Sequence, residues 1–174
     1  SIFTILILAI TSISNAAPSA APSAAPTLSD SLAMVHSFYD TDGLAFEDFL
    51  RANSSHIEKI DPQVSSETET NLNLSPLYRS FILQTCGEIR EIASKEDLSA
   101  SDRRQIGWRL VWIIENIAAL QQINTEVLFK IDGAYRKAGA SDTFWHDAIA
   151  YQNKERVVLM HVAALLKVYI QKEL

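Results

Sequence analysis

The chain has 174 residues, of which 48% are hydrophobic and 21% charged, and its formal net charge is −6. This is one domain's worth of sequence, long enough to bury a core without covalent staples. The acidic balance and the absence of a basic run argue against nucleic acid and anionic membranes as partners, and a lone cysteine, Cys86, rules out a disulfide within the chain.

Residues 1–16, "SIFTILILAITSISNA", carry an uncharged apolar run from Phe3 to Ile10, too short to span a bilayer as a helix. Ser14 and Ala16 have the spacing of a signal-peptidase site, so this stretch reads as a signal peptide truncated at its N-terminus. A buried N-terminal helix is the alternative. Cleavage after Ala16 leaves about 158 residues and no transmembrane segment in the mature chain. Residues 17–27 follow as an Ala/Pro/Ser linker. Its fourfold-spaced prolines block helix, and its alanines and serines cannot build a core, which predicts an extended spacer. Ser19, Ser23 and Thr27, beside prolines, are candidate O-glycan sites.

From residue 28 to 174 the pattern is all-α. A first helix over Leu28–Tyr39 has Ser29 or Asp30 as cap and Leu32, Val35, Phe38 and Tyr39 as its apolar face. Asp42-Gly43 breaks the chain, and Leu44–Ile60 forms a second helix with Phe46, Phe49, Leu50, Ile57 and Ile60 inward. Asp61-Pro62 ends it. Gln63–Leu74 is polar and reads as a loop. Ser75-Pro76 has the form of a helix start, opening a third helix that ends near Ser94 and carries Tyr78, Ile82, Thr85, Ile89 and Ile92 on one stripe. The fourth helix has the clearest spacing: Ile106, Leu110, Ile113, Ile117, Leu120, Asn124, Val127 and Ile131. Gly139 stops it. Ser141 caps a fifth helix, Asp142–Lys172, whose face includes Trp145, Ile149, Leu159, Ala163, Leu166 and Ile170. The expected architecture is a single bundle of about five helices. The last three form an up-down core, and two shorter N-terminal helices cover what the short third helix leaves bare.

Polar residues interrupt two apolar faces: Asn124 on the fourth helix and Gln152–Arg156 on the fifth. An antiparallel register about the turn near Gly139 sets Asn124 at the level of Arg156. Two readings follow. Either the layer fixes helix register, as a buried Asn does in coiled coils, or Asn124, Gln152 and Arg156 form the polar end of an internal pocket, with Ile117 and Leu159 on its apolar wall, that takes a fatty-acid-like ligand. Gly87 and Gly107, inside helices, would then make room for the ligand or let helices approach.

Other chemistry is sparse. His36, His56, His146 and His161 are scattered, and no metal-ligand motif, nucleophile elbow, P-loop or Cys–His signature occurs, so no metal, cofactor or enzymatic activity is expected. Cys86 reads as a small buried hydrophobe. Asn53 and Asn73 head glycosylation sequons, consistent with secretion. Trp108 and Trp112 are expected to pack under a neighbouring helix. If they are exposed instead, they form a patch for an apolar surface.

The stretch "DLSASDRRQIGWRLVWIIENIAALQQINTEVLFKIDGAYRKAG", residues 97–139, resembles the C-terminal half of the fungal hydrophobic surface-binding proteins, or cell-wall galactomannoproteins. In that family a Leu-Ser-x-x-Asp start opens a long amphipathic helix, which ends in an aromatic four residues before a Gly. Here these are Leu98, Ser99, Asp102, Tyr135 and Gly139. The resemblance implies a secreted or wall-associated helical glycoprotein that binds lipids or hydrophobic surfaces without enzymatic activity. The alternative is a secreted effector or structural protein that acts through its surface and holds no internal ligand. A cavity of several hundred Å³ would favour the first. A packed core with Trp108 and Trp112 exposed would favour the second.

Overall fold

The structure is a computed structural model and describes residues 27–139 and 144–171. These residues form five helices: α1 (Leu28–Asp40), α2 (Asp42–Ile60), α3 (Pro62–Ala93), α4 (Ala100–Ala138) and α5 (Phe144–Gln171). The expected all-α bundle is what the chain forms. The signal-peptide assignment, residues 17–26 of the linker, the Ser141 cap and the Trp145 side chain lie outside the described residues.

The caps explain most of the boundaries. Thr27, read as the end of the linker, is the N-cap of α1. Its Oγ1 accepts from the Asp30 N–H at 3.1 Å and its hydroxyl donates to the Asp30 carboxylate. The cap thus sits one turn before Asp30 and two residues before Ser29, because a capping side chain must precede the N–H it satisfies. Thr41 separates α1 from α2, and Asp42-Gly43 opens α2 instead of breaking the chain. Gly43 lies where an added Cβ would sit 3.4 Å from the Tyr39 ring. Ser99 and Asp102 form a reciprocal capping box at the start of α4, and Gly139, at φ 64°, ends it in the left-handed conformation.

The largest departure from the sequence expectation is α3. Residues 63–74 are helical, and α3 runs 32 residues without interruption. Asp61 caps it by accepting from the N–H groups of Gln63 and Val64, with Pro62 in the first turn, where a missing N–H costs nothing. Pro76 lies inside the helix and does not start it. The tertiary reason is visible in the burial. Val64, Thr68, Asn71, Ser75, Ile82, Thr85 and Ile89 are all buried, and with half-buried Tyr78 they keep a four-three spacing over the whole length. Packing of that stripe against α4 outweighs the local cost of one proline, about 3 kcal/mol in a helix interior.

A full-length α3 changes the architecture. Helices α3 and α4 pack antiparallel: Asn71 faces Asn124, Glu88 faces Arg109 and Glu67 faces Lys130. Helix α5 returns along α4, with Gln152 donating to Thr125. The short helices α1 and α2 follow one another along α3, with Arg90 reaching the Leu32 carbonyl and Arg79 pairing with Glu47. They do not patch a gap beside a short third helix. They form one broken rod, interrupted at Thr41, that completes a four-cornered bundle. One apolar core joins side chains from all five helices.

The core face of α5 also differs from expectation. Ala148, Tyr151, Glu155, Val158, Val162 and Leu165 point inward with Leu166, whereas Ile149 and Ile170 are exposed and Leu159 and Ala163 are half-buried. The inward residues follow strict three-four spacing, and the face is rotated by about one residue from the one read off the largest apolar side chains.

Candidate functional site

Three polar clusters interrupt the middle of the core. In the first, Asn71 donates to the Asn124 side-chain oxygen at 3.0 Å and accepts from the Ser75 hydroxyl at 3.0 Å, so α3 and α4 are joined by buried amides. In the second, Arg79 meets Glu47 at 3.3 Å between α3 and α2. In the third, Glu155 of α5 accepts from Tyr39 of α1 at 2.9 Å and from Tyr151 at 3.2 Å, both through Oε1. Its Oε2 has no protein partner. Tyr151 is fixed by stacking on Phe46, with ring centroids 4.0 Å apart and planes within 5°. Glu155 is fully buried, and that burial pushes its pKa up to about 7, against the two tyrosine hydrogen bonds that favour the charged form.

The residues expected to form a ligand's polar end do not converge. Asn124 is buried, but its partner is Asn71, from the segment read as a loop. The side chain of Arg156 is exposed on the outside of α5. Gln152 is half-buried and bonds to Thr125, Ile117 is fully buried core, and Leu159 is half-buried. The expected level was nearly right, since Gln152 meets Thr125 beside Asn124. The orientation was not: Glu155, one residue earlier, takes the inward position. Gly87 is exposed and an added Cβ at Gly87 or Gly107 would meet nothing within 4 Å, so neither glycine makes room for a ligand or a close helix approach.

The space these polar clusters enclose, lined by Tyr39, Glu47, Ser75, Arg79, Asn124 and Tyr151 among others, is about 10 Å³. That suits one water molecule at most and lies far below the several hundred Å³ of a lipid-sized pocket. The polar interior is therefore a bonded seam between helices.

The outside offers more. Trp108 and Trp112 are 69% and 60% exposed, against the expectation that a neighbouring helix covers them. Each lies two residues from buried Leu110, roughly half a turn round α4 from the core. On α3, Leu77 and Phe81 are each 56% exposed and Leu74 is 37% exposed. The antiparallel register sets Phe81 near the level of Glu115 and Leu77 near that of Ala119, so this stripe extends the exposed row from Trp112 toward the C-terminal half of α4. An open groove of about 190 Å³ continues it, lined by Leu74, Ile123 and Val127 with Glu67, Glu126 and Lys130 at its rim. Single exposed apolar residues are ordinary, whereas these form a row along two adjacent helices.

Cys86 is fully buried and its thiol is pushed up to about 12 by burial. Asn53 lies within α2, its amide donating to the Phe49 carbonyl, and Asn73 is exposed within α3. Among the described residues no group of three or more His, Cys, Asp or Glu side chains could hold a metal ion, and no helix is long and apolar enough to cross a membrane.

The residues missed from sequence were Asn71, Ser75, Tyr151, Glu155 and the Glu47–Arg79 pair. The available signal was continuity of spacing through polar residues, from Val64 to Ile89 on α3 and from Ala148 to Leu165 on α5. In comparisons with protein families, curated proteins and solved structures, nothing matches the chain.

Proposed function

We propose that the protein is a non-enzymatic binder of hydrophobic surfaces that works through the outer face of α3 and α4, with a packed interior that serves as scaffold. The observation that carries this reading is the exposure of Trp108 and Trp112 on α4, with Phe81 and Leu77 of α3 exposed about one and two turns further along. Tryptophan is costly to leave in water and is enriched at contact surfaces, where it supplies large area at low entropic cost. The resemblance of residues 97–139 to the fungal hydrophobic surface-binding proteins supports the same ligand class, and with the N-terminal signal-like segment and sequons it supports a secreted or cell-wall setting. A packed core favours surface action over an internal fatty-acid site. An apolar patch on a protein partner is the second reading, favoured by the charged rim of Glu67, Glu88, Arg109 and Lys130 that frames the face.

The test is adsorption of the purified chain to alkyl-coated beads and to neutral phosphatidylcholine vesicles, followed by tryptophan emission. Binding should shift the emission to shorter wavelength, and Trp108→Ala/Trp112→Ala should lose most of it with helicity unchanged. Full binding by that variant would remove this face as the site.

A further inference from the structure

The aromatic face of α4 carries a charge pattern that the fold does not use. Arg104 and Glu115 flank the two tryptophans on the same outer face, and both are exposed. Neither makes an ion pair or side-chain hydrogen bond within the described residues, whereas Arg109, Lys130 and Arg136 all do. At 1.5 Å per residue Trp108 and Trp112 lie about 6 Å apart along the helix. From the midpoint between them, Arg104 lies about 9 Å toward the N-terminus and Glu115 about 7.5 Å toward the C-terminus. The row is therefore self-complementary under reversal: a positive end, two indoles, a negative end.

We propose that a second copy of this chain occupies the face, with the two α4 helices crossing antiparallel about a two-fold axis that lies outside α4, between Trp108 and Trp112, at the level of Leu110. Trp108 then packs against the partner's Trp112, and Arg104 meets the partner's Glu115, each twice by symmetry. Such an isologous contact is the usual route to a homodimer. Aromatic side chains bury about 150–250 Å² each, so two copies of Trp108, Trp112, Phe81 and Leu77, all more than half exposed, offer on the order of 1,000 Å². That is close to the lower limit of a specific interface and points to a reversible dimer. This inference rests on the same face as the proposed function and names one occupant of it: dimerisation covers the indoles, and an apolar surface competes with the second copy.

The experiment is sedimentation velocity of the full chain over a concentration series, at low and high salt, with a charge swap. The wild type should pass from monomer to dimer. Arg104→Glu and Glu115→Arg should each weaken the dimer by about tenfold at low salt, because each creates two like-charge contacts, and high salt should shrink the effect. The double variant Arg104→Glu/Glu115→Arg should recover wild-type association. A monomer at every concentration, or a double variant as weak as the singles, would overturn the proposal. Bead adsorption, read separately on the same proteins, separates the two ideas. A monomer that adsorbs through its tryptophans sinks the dimer alone. A swap-sensitive dimer whose bead binding survives loss of the tryptophans sinks the surface reading alone.

Discussion

Tyr39 and Glu155, 116 residues apart in the chain, meet in a buried hydrogen bond of 2.9 Å that ties α1 to α5. The carboxyl is wholly enclosed, shares Oε1 between Tyr39 and Tyr151, and leaves Oε2 without a protein partner. The groups that face it are Tyr39 on α1 and Tyr151 on its own helix, with the Cys86 thiol of α3 beyond Tyr39 and the Glu47 and Asp42 carboxylates of α2 beyond Tyr151. None of these supplies a positive charge. Lys154, next in the chain, points out to pair with Asp42, and Arg79 pairs with Glu47.

Glu155 therefore makes the fold lose stability as pH rises. Its folded pKa of about 7 lies above its ordinary value of 4.5, so its contribution is full below pH 4.5 and is lost as pH climbs through 7. The loss over that window is about 3 kcal/mol. Asp102 works in the opposite sense. The Lys95 ammonium and the Ser99 groups hold it down at about 2, so its contribution is present above its ordinary value of 3.8 and fades as pH falls through 2. Urea unfolding at pH 5 and pH 8 should show the wild type more stable at pH 5, and Glu155→Gln should flatten the difference. A variant that keeps the wild-type slope would place the titration elsewhere.

The Asn71–Asn124 pair gives a second expectation. Asn124→Leu alone strands the Asn71 amide in the core and should cost about 1–3 kcal/mol. Replacing both with Leu should cost less than the single change, because the desolvated pair is removed together. The Ser75 hydroxyl can then turn to its own helix carbonyl four residues back. Thermal unfolding of the two singles and the double forms a double-mutant cycle. Additive losses would mean that the two amides are not coupled.

These same residues mark where the sequence was legible. Helix α4 was, because Ile106 to Ile131 is apolar at seven of eight core positions and its ends carry Ser99, Asp102 and Gly139. The first half of α3 was not. Thr68, Asn71 and Ser75 occupy core positions there, so polarity hid the spacing, and Pro76 stood where a helix start is ordinary. The cost of burying those polar groups is offset only by partners on α4 and by local back-bonding, as when Thr68 donates to the Val64 carbonyl at 2.8 Å. No local reading contains those partners. On α5 a buried Glu155 beside an exposed Arg156 gave the same ambiguity, and the larger apolar residues Ile149 and Ile170 pulled the expected face off by one position. The site was half legible for a related reason. Trp108 and Trp112 stand out in the sequence, but whether a helix covers them depends on which flanks of α4 its neighbours take, and α3 and α5 leave that outer face open.

Pro76 allows a direct check on the balance between local cost and packing in α3. Proline lacks the N–H that would bond the Leu72 carbonyl, and Pro76 is only half-buried. Pro76→Ala restores a donor and a better helix former, and it should stabilise the fold by about 1–3 kcal/mol. That corresponds to several degrees in thermal midpoint for a chain of this size. A lower midpoint would mean that the proline at 76 is needed to seat Asn71 and Ser75 against Asn124.

The chemistry of Cys86 follows from its burial. The thiol is fully enclosed on α3 and pushed from 9.0 up to about 12 by desolvation, with Arg90 pulling the other way. The thiolate is the reactive species, so at pH 8 its fraction falls on the order of a thousandfold relative to an ordinary thiol. Enclosure slows access further. The native protein should consume almost no aromatic disulfide reagent over an hour, and one equivalent at once in 6 M guanidinium. Cys86→Ala should leave adsorption to alkyl beads unchanged and cost about 1 kcal/mol or less, since little volume is removed. Fast labelling of the folded chain would show that α3 opens locally around Cys86, and would tie the stability of the scaffold to the face that α3 shares with α4.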